Sequence, residues 1–131
     1  MKVNVFIELG KDGTYGAYIA DNNPLPFGVI GEGNTVEEAK QDFLNVFNEY
    51  KEDGEDVPSD VIFEFNYDIA SFLSYYSKKL SLAGLQRITG VAQGQLSHYV
   101  TGRRRPSPKT IEKIQKALQE FGKELSHVNF V

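Results

Sequence analysis

Cysteine and tryptophan are missing from these 131 residues, methionine occurs once and proline five times. Without cysteine there is no disulfide framework and no thiolate metal site, which fits a reducing cytoplasm. No apolar run approaches the roughly 20 residues of a membrane span. The N-terminus also lacks the basic-then-apolar pattern of a signal peptide, so the expectation is a cytoplasmic chain with no membrane partner. Arginine is absent from the first 66 residues, which hold four lysines against fourteen acidic residues, a net −10. Residues 67–131 hold ten basic and four acidic residues, a net +6. One half should repel nucleic acid and the other attract it. The expectation is two domains, 1–66 and 67–131, with different partners.

What is present organises itself around residues 81–107, SLAGLQRITGVAQGQLSHYVTGRRRPS. Ser81 can cap a helix over Leu82–Thr89 whose apolar face carries Leu82, Leu85 and Ile88. Gly90 supplies the left-handed residue that ends it. Ala92 or Gln93 opens a second helix that runs to Thr101 and stops at Gly102. Its inward face is Leu96, Tyr99 and Val100. Its outward face, Gln93, Gly94, Gln95, Ser97 and His98, offers short or amide-bearing groups suited to base edges and phosphates. Arg103, Arg104 and Arg105 follow at once, and Pro106 blocks a simple helical continuation. Helix, glycine turn, polar-faced helix and arginine run is the layout of a helix-turn-helix DNA reader. The bland alternative is a solvated arginine cluster after a structural helical hairpin. Gly94 costs a helix about 1 kcal/mol relative to alanine. It is either tolerated or kept so that the backbone can approach DNA closely.

Leu80, Ser81, Leu85, Thr89, Gly90, Val91, Leu96, Ser97, Gly102, Arg104, Pro106 and Ser107 together resemble the pattern of the Xre-like helix-turn-helix family. The resemblance implies that Gln93 clamps a phosphate while Gln95 and His98 project into the major groove. The three arginines would bind backbone, which adds affinity but little sequence information. Leu82 stands where members often carry a phosphate-binding glutamine, so that contact is not carried over.

Ahead of this segment, Val3, Val5, Ile7 and Leu9 alternate with Asn4, Phe6 and Glu8, the mark of a half-buried strand. The turn Gly10–Gly13 leads to a second strand over Tyr15–Ala20, and Phe27–Ile30 reads as a short third strand followed by Gly31 and Gly33. Thr35 and Glu38 form a capping box for a helix running to about Tyr50, with Ala39, Phe43, Val46, Phe47 and Tyr50 on one face. Val61–Phe65 resumes a strand. The fold class expected is α+β, a small β-β-β-α-β sheet-and-helix domain followed by an all-α helix-turn-helix domain. In the second domain, residues 66–80 would form a first helix with Ile69, Phe72, Leu73 and Tyr76 inward. Ser107 and Pro108 would start a last helix with Ile111, Ile114, Leu118 and Phe121 as its core stripe. Gly122 to Val131 then reads as an apolar tail.

The segments Tyr15–Asp21 and Gly31–Ala39 resemble the hairpin and the helix start of HicB-type antitoxins, whose N-terminal domain is similar to a partial RNase H fold. The glycine-cysteine pair that precedes the family's third strand is absent. The resemblance implies an antitoxin with no cofactor. Its acidic domain would bind a small basic HicA-like messenger-RNA-cleaving toxin, and its second domain would bind double-stranded operator DNA as a homodimer or higher oligomer. Charge alone points to a basic partner for the acidic half. Phe6, Glu8, Tyr15, Tyr18 and Phe27 are the candidate toxin-binding residues, because a four-stranded layer with one helix cannot hide all that aromatic surface.

Two other classes compete. One is a ligand-responsive repressor whose N-terminal domain senses a small molecule. The other is a nuclease in which Glu8, Glu38 and Glu64 form a carboxylate set. Glu38 is better read as a helix cap and the other two as solvated, and no nucleophile–base pair, phosphate loop or metal spacing appears, so the expectation is a non-enzyme.

Overall fold

The computed structural model describes all 131 residues. The elements follow as β1 (Lys2–Leu9), β2 (Tyr15–Ile19), β3 (Ile30–Gly33), α1 (Val36–Glu52), β4 (Ile62–Tyr67), α2 (Ile69–Tyr76), α3 (Leu82–Thr89), α4 (Gln93–Val100) and α5 (Pro108–Ser126). They form two compact units, Met1–Ser71 and Phe72–Val131. The chain is therefore α+β, as its patterning indicates. The division falls inside α2, five residues later than composition suggests. Ser71 belongs with the first unit because its hydroxyl accepts the Leu9 N–H at 3.0 Å and its own N–H is held by Asp68.

In the first unit a four-stranded sheet has the order β3-β2-β1-β4. β1 pairs antiparallel with β2 and parallel with β4. The alternation of β1 sends Val3, Val5 and Ile7 into the core, where each is at most 1% exposed. They meet α1 through Val36, Ala39, Phe43 and Phe47, a spacing of three and four that keeps one helical face on the sheet. Phe43 meets the rings of Phe63 and Phe65 edge-on at 5.0 and 6.0 Å, the arrangement aromatic quadrupoles favour. The start of α1 is fixed at Thr35 as expected, with the returning bond of the capping box falling one residue upstream, on Asn34. Thr35 Oγ1 accepts the Glu38 N–H at 3.1 Å, and the Glu38 carboxylate reaches back to the Asn34 N–H at 2.7 Å.

The third strand departs from expectation. It occupies Ile30–Gly33, not Phe27–Ile30, so the two glycines read as flanking loop lie in the strand. The reason is steric. A Cβ on Gly31 would sit 2.3 Å from the Phe43 nitrogen, and one on Gly33 would sit 2.4 Å from the Glu38 Cβ. α1 crosses β3 at backbone contact, which only glycine permits.

In the second unit, α3 has the bounds its cap and glycine predict, and α4 ends at Val100, one residue short of the expected Thr101. α2 is shorter than the 66–80 expected, and Tyr75, assigned to neither face, is buried together with Leu73. The last helix also differs. α5 continues through Gly122 to Ser126, so the segment read as tail is largely helical. Of the expected core stripe, Ile114 is buried and Leu118 and Phe121 are half-buried, as are Thr110 and Ala117, whereas Ile111, in the first turn of the helix, is 41% exposed.

Candidate nucleic-acid interface

The geometry of α3 and α4 grows from three small-residue decisions. Ser81 accepts the Gly84 N–H at 3.0 Å and fixes the start of α3. Gly90, with φ 75°, ends it in the left-handed region. Thr89, 4% exposed, then ties the turn together. Its hydroxyl donates to the Leu85 carbonyl at 2.7 Å and accepts the Val91 N–H at 3.1 Å, so a buried polar group leaves nothing unpaired. Leu85 and Leu96, both fully buried, pin α3 to α4.

The start of α4 is held by a residue that sequence reasoning missed. Ala92 occupies the N-cap and makes no side-chain cap. Gln86, from α3, supplies the missing acceptor, its Oε1 taking the Gln93 N–H at 2.7 Å. One of the orphan donors of a helix start is thereby satisfied across the turn. The signal was legible in principle, since an alanine at N-cap demands an acceptor from elsewhere.

Gln93, Gly94, Gln95 and Ser97 are all exposed, and His98 is half-buried beside them. Leu96 and Tyr99 point the other way and are buried, so the polar and apolar faces separate as their spacing requires. Gln95 is oriented within this face. The Tyr99 hydroxyl donates to Gln95 Oε1 at 3.2 Å, which leaves the Gln95 amide nitrogen as the free, donating end. A donor so placed suits the N7 and O6 acceptors that purines show in the major groove. Gly94 has nothing within 4 Å of an added Cβ, so packing within the protein does not require glycine there.

Thr101 closes α4, and Gly102 turns the chain with φ 75°. The Arg104 N–H then binds the His98 carbonyl at 3.3 Å, folding the arginine run back against the end of the helix. Arg103, Arg104 and Arg105 are exposed and enter no ion pair. Three unneutralised guanidinium groups beside a polar helix face make a surface fit for a polyanion. Pro106 is buried and anchors the run.

The family model described as Helix-turn-helix matches residues 77–120. Residues 77–120 are a helix-turn-helix domain. The match spans α3, the turn, α4, the arginine run and the first two-thirds of α5, and this domain suggests a DNA-binding regulator. Comparison with curated proteins and with solved structures found no match. No helix is long and apolar enough to cross a membrane.

The five residues expected to bind a basic protein do not share one surface. In the antiparallel register Phe6 faces Tyr18, while Leu9 faces Tyr15. Phe6, Glu8 and Tyr18 therefore lie on the sheet face away from α1. Tyr15, 4% exposed, lies on the helix side and drops out as a contact residue. Two aromatics three residues apart on a strand must point to opposite faces. Phe27 also leaves the set, because it stacks on Tyr50 at 4.4 Å and packs near Phe47, both from α1.

What remains on the open face is a compact cluster. Phe6 and Tyr18 meet edge to face at 5.8 Å. Partial burial pushes the Tyr18 hydroxyl above its ordinary range, helped by its hydrogen bond to Glu8 and by the charges of Glu8, Asp68 and Asp21. Ile30, 64% exposed, sits opposite Tyr18, and Glu32 sits opposite Gly16. Ile30 and Glu32 were missed because the third strand was placed three residues too early. Of the carboxylates weighed as a catalytic set, Glu38 is the α1 cap and Glu64 pairs with Lys2 at 2.7 Å.

Proposed function

We propose that this chain is a DNA-binding antitoxin. Its helix-turn-helix domain represses its own operon by binding double-stranded operator DNA as a dimer. Its acidic first unit neutralises a small basic HicA-like ribonuclease toxin. The observation that carries the toxin half is the open face of the sheet, where exposed Phe6, half-buried Tyr18 and exposed Ile30 are ringed by Glu8, Glu32, Asp21 and Asp68. An apolar cluster with a mostly acidic rim is the mark of a protein-binding face, and since Lys2 on this face is already paired to Glu64, the rim fits a basic partner. The resemblance of Tyr15–Asp21 and Gly31–Ala39 to HicB-type antitoxins supplies the identity of that partner. In this reading the chain itself carries no catalytic group, since the carboxylates available are caps, ion pairs or rim charges.

The test is a cleavage assay. Full-length chain added in equimolar amount to a HicA-like toxin should abolish messenger-RNA cleavage. Undiminished cleavage with a tenfold excess of the chain would sink the antitoxin reading and leave a DNA-binding regulator.

A further inference from the structure

Glycine weakens the interior of a strand, so one found there needs a reason. Gly31 and Gly33 have theirs in the closeness of α1. Gly16 does not. It lies in β2, a strand with neighbours on both sides, and its φ is not positive. The pairing runs unbroken through it, with Glu8 opposite in β1 and Glu32 opposite in β3, so no bulge calls for it. An added Cβ would meet only the Gly31 carbonyl oxygen at 4.0 Å, an ordinary contact. Of the uses of a strand glycine, close approach by something outside the chain is left.

The surroundings say what approaches. Gly16 belongs to the open face of the sheet, two residues from Tyr18, and there it leaves a notch. The apolar row of Ile30, Tyr18 and Phe6 forms one wall, a step along the strands. Glu8 and Glu32 stand on the two flanks, their backbones two strand spacings apart, about 9.6 Å. Both are exposed and neither enters an ion pair. The Tyr18 hydroxyl donates to the Glu8 carboxylate and ties that flank to the wall. The bare floor, the aromatic wall and the paired flanks match one side chain. A guanidinium is planar and carries donors along more than one edge, so it can take a carboxylate on each side. Its flat face suits a ring beside it, and its methylenes suit the apolar row. An ammonium is a point charge without that planarity.

We propose that the notch at Gly16 receives an arginine side chain of the basic protein partner, held between Glu8 and Glu32 beside Tyr18. This rests on the reading of the open face as a protein-binding surface, and it names the residue that the face selects.

Two measurements test the notch apart from that reading. In the first, isotopically labelled full-length chain is titrated with acetylated tri-arginine and, in parallel, with acetylated tri-lysine, and the backbone amides are followed by nuclear magnetic resonance. Glu8, Gly16 and Glu32 should shift most, and tri-arginine should bind the more tightly. Gly16→Val fills the notch with a strand-favouring residue and keeps both carboxylates, so it should lose these shifts. Shifts spread evenly over the acidic unit, or unchanged in Gly16→Val, would overturn the notch. In the second, Gly16→Val should require about tenfold more chain than wild type to stop messenger-RNA cleavage by a HicA-like toxin, with DNA binding and the thermal midpoint undiminished. Inhibition equal to wild type would overturn the notch and keep the antitoxin reading. Failure of the wild-type chain to inhibit would sink the antitoxin reading, and the peptide titration then decides the notch by itself. Should valine unfold the sheet, Gly16→Ala carries both measurements, because its Cβ makes only an ordinary contact.

Discussion

The two units expose surfaces built from opposite materials. The first carries fifteen acidic against four basic residues, a net −11, and presents the bare side of a sheet. The second carries ten basic against three acidic residues, a net +7, and presents a helix followed by arginines. On the sheet, aromatic rings form the centre and charge forms the rim. On α4 the polar groups themselves are the surface, and the apolar residues are spent inside. A protein partner offers area to bury, so rings are worth exposing; a nucleic acid offers hydrogen-bonding edges and phosphates, so amides and guanidinium groups are.

The comparison can be broken most severely at Gly31. Gly31→Ala places a Cβ against the backbone of α1 and should destabilise the first unit by about 3 kcal/mol, read by chemical denaturation. DNA binding by the second unit should survive, and its loss would show that the units are not independent. Next in size is the readout on α4. Gln95→Ala removes the one donor oriented by Tyr99 and should cost about 1–3 kcal/mol of discrimination between operator and mutated operator, while Arg104→Ala should weaken binding to all sequences alike and reduce the salt slope by about one. Fluorescence anisotropy titrations at several salt concentrations separate the two. Equal loss of specific and non-specific binding in both variants would break the assignment of roles.

Smaller effects sharpen the picture. Gln86→Ala leaves the start of α4 without its acceptor and should lower the stability of the second unit by about 1 kcal/mol. Gln86→Glu keeps an acceptor at a helix N-terminus, where negative charge is favoured, and should not lower it. Gly94→Ala should raise stability by about 1 kcal/mol, and a simultaneous drop in DNA affinity would show that glycine is kept for close approach. The smallest effect is electrostatic. Tyr18 should titrate above its ordinary range in an ultraviolet absorbance titration. A tyrosine so raised holds its proton more tightly folded than unfolded, so the stability it contributes is present below its unfolded pKa and is lost as pH rises through the folded one. Burial is the leading cause, so Glu8→Gln should bring the hydroxyl only part of the way back.

Much of this is legible in the sequence. Ser81, Thr89, Gly90 and Gly102 mark the ends of α3 and α4 because caps and left-handed turns accept few residue types. Thr35 and Glu38 mark the start of α1 for the same reason. The errors have a common origin in relations between elements. Gly31 and Gly33 read as loop because their role is the closeness of α1, which no local pattern records. Phe27 reads as exposed because its partner Tyr50 is distant in sequence. Gln86 reads as one more polar residue until Ala92 fails to cap. Tyr15 is different, since strand parity with Tyr18 already placed the two on opposite faces. Ile111 shows the limit of an apolar stripe, for its spacing fits the core while its exposure is set by what the helix packs on.

On the function proposed, the acidic sheet face takes a basic ribonuclease while the helix-turn-helix takes DNA. The most direct test is growth rescue in cells expressing a HicA-like toxin together with the full-length chain, its Phe6→Ala/Tyr18→Ala variant, or its Arg104→Ala/Arg105→Ala variant, with operator binding measured in parallel. The account predicts that the aromatic variant loses rescue and keeps DNA binding, and that the arginine variant does the reverse. Full rescue by the aromatic variant, or loss of rescue with the arginine variant at equal protein level, would contradict it.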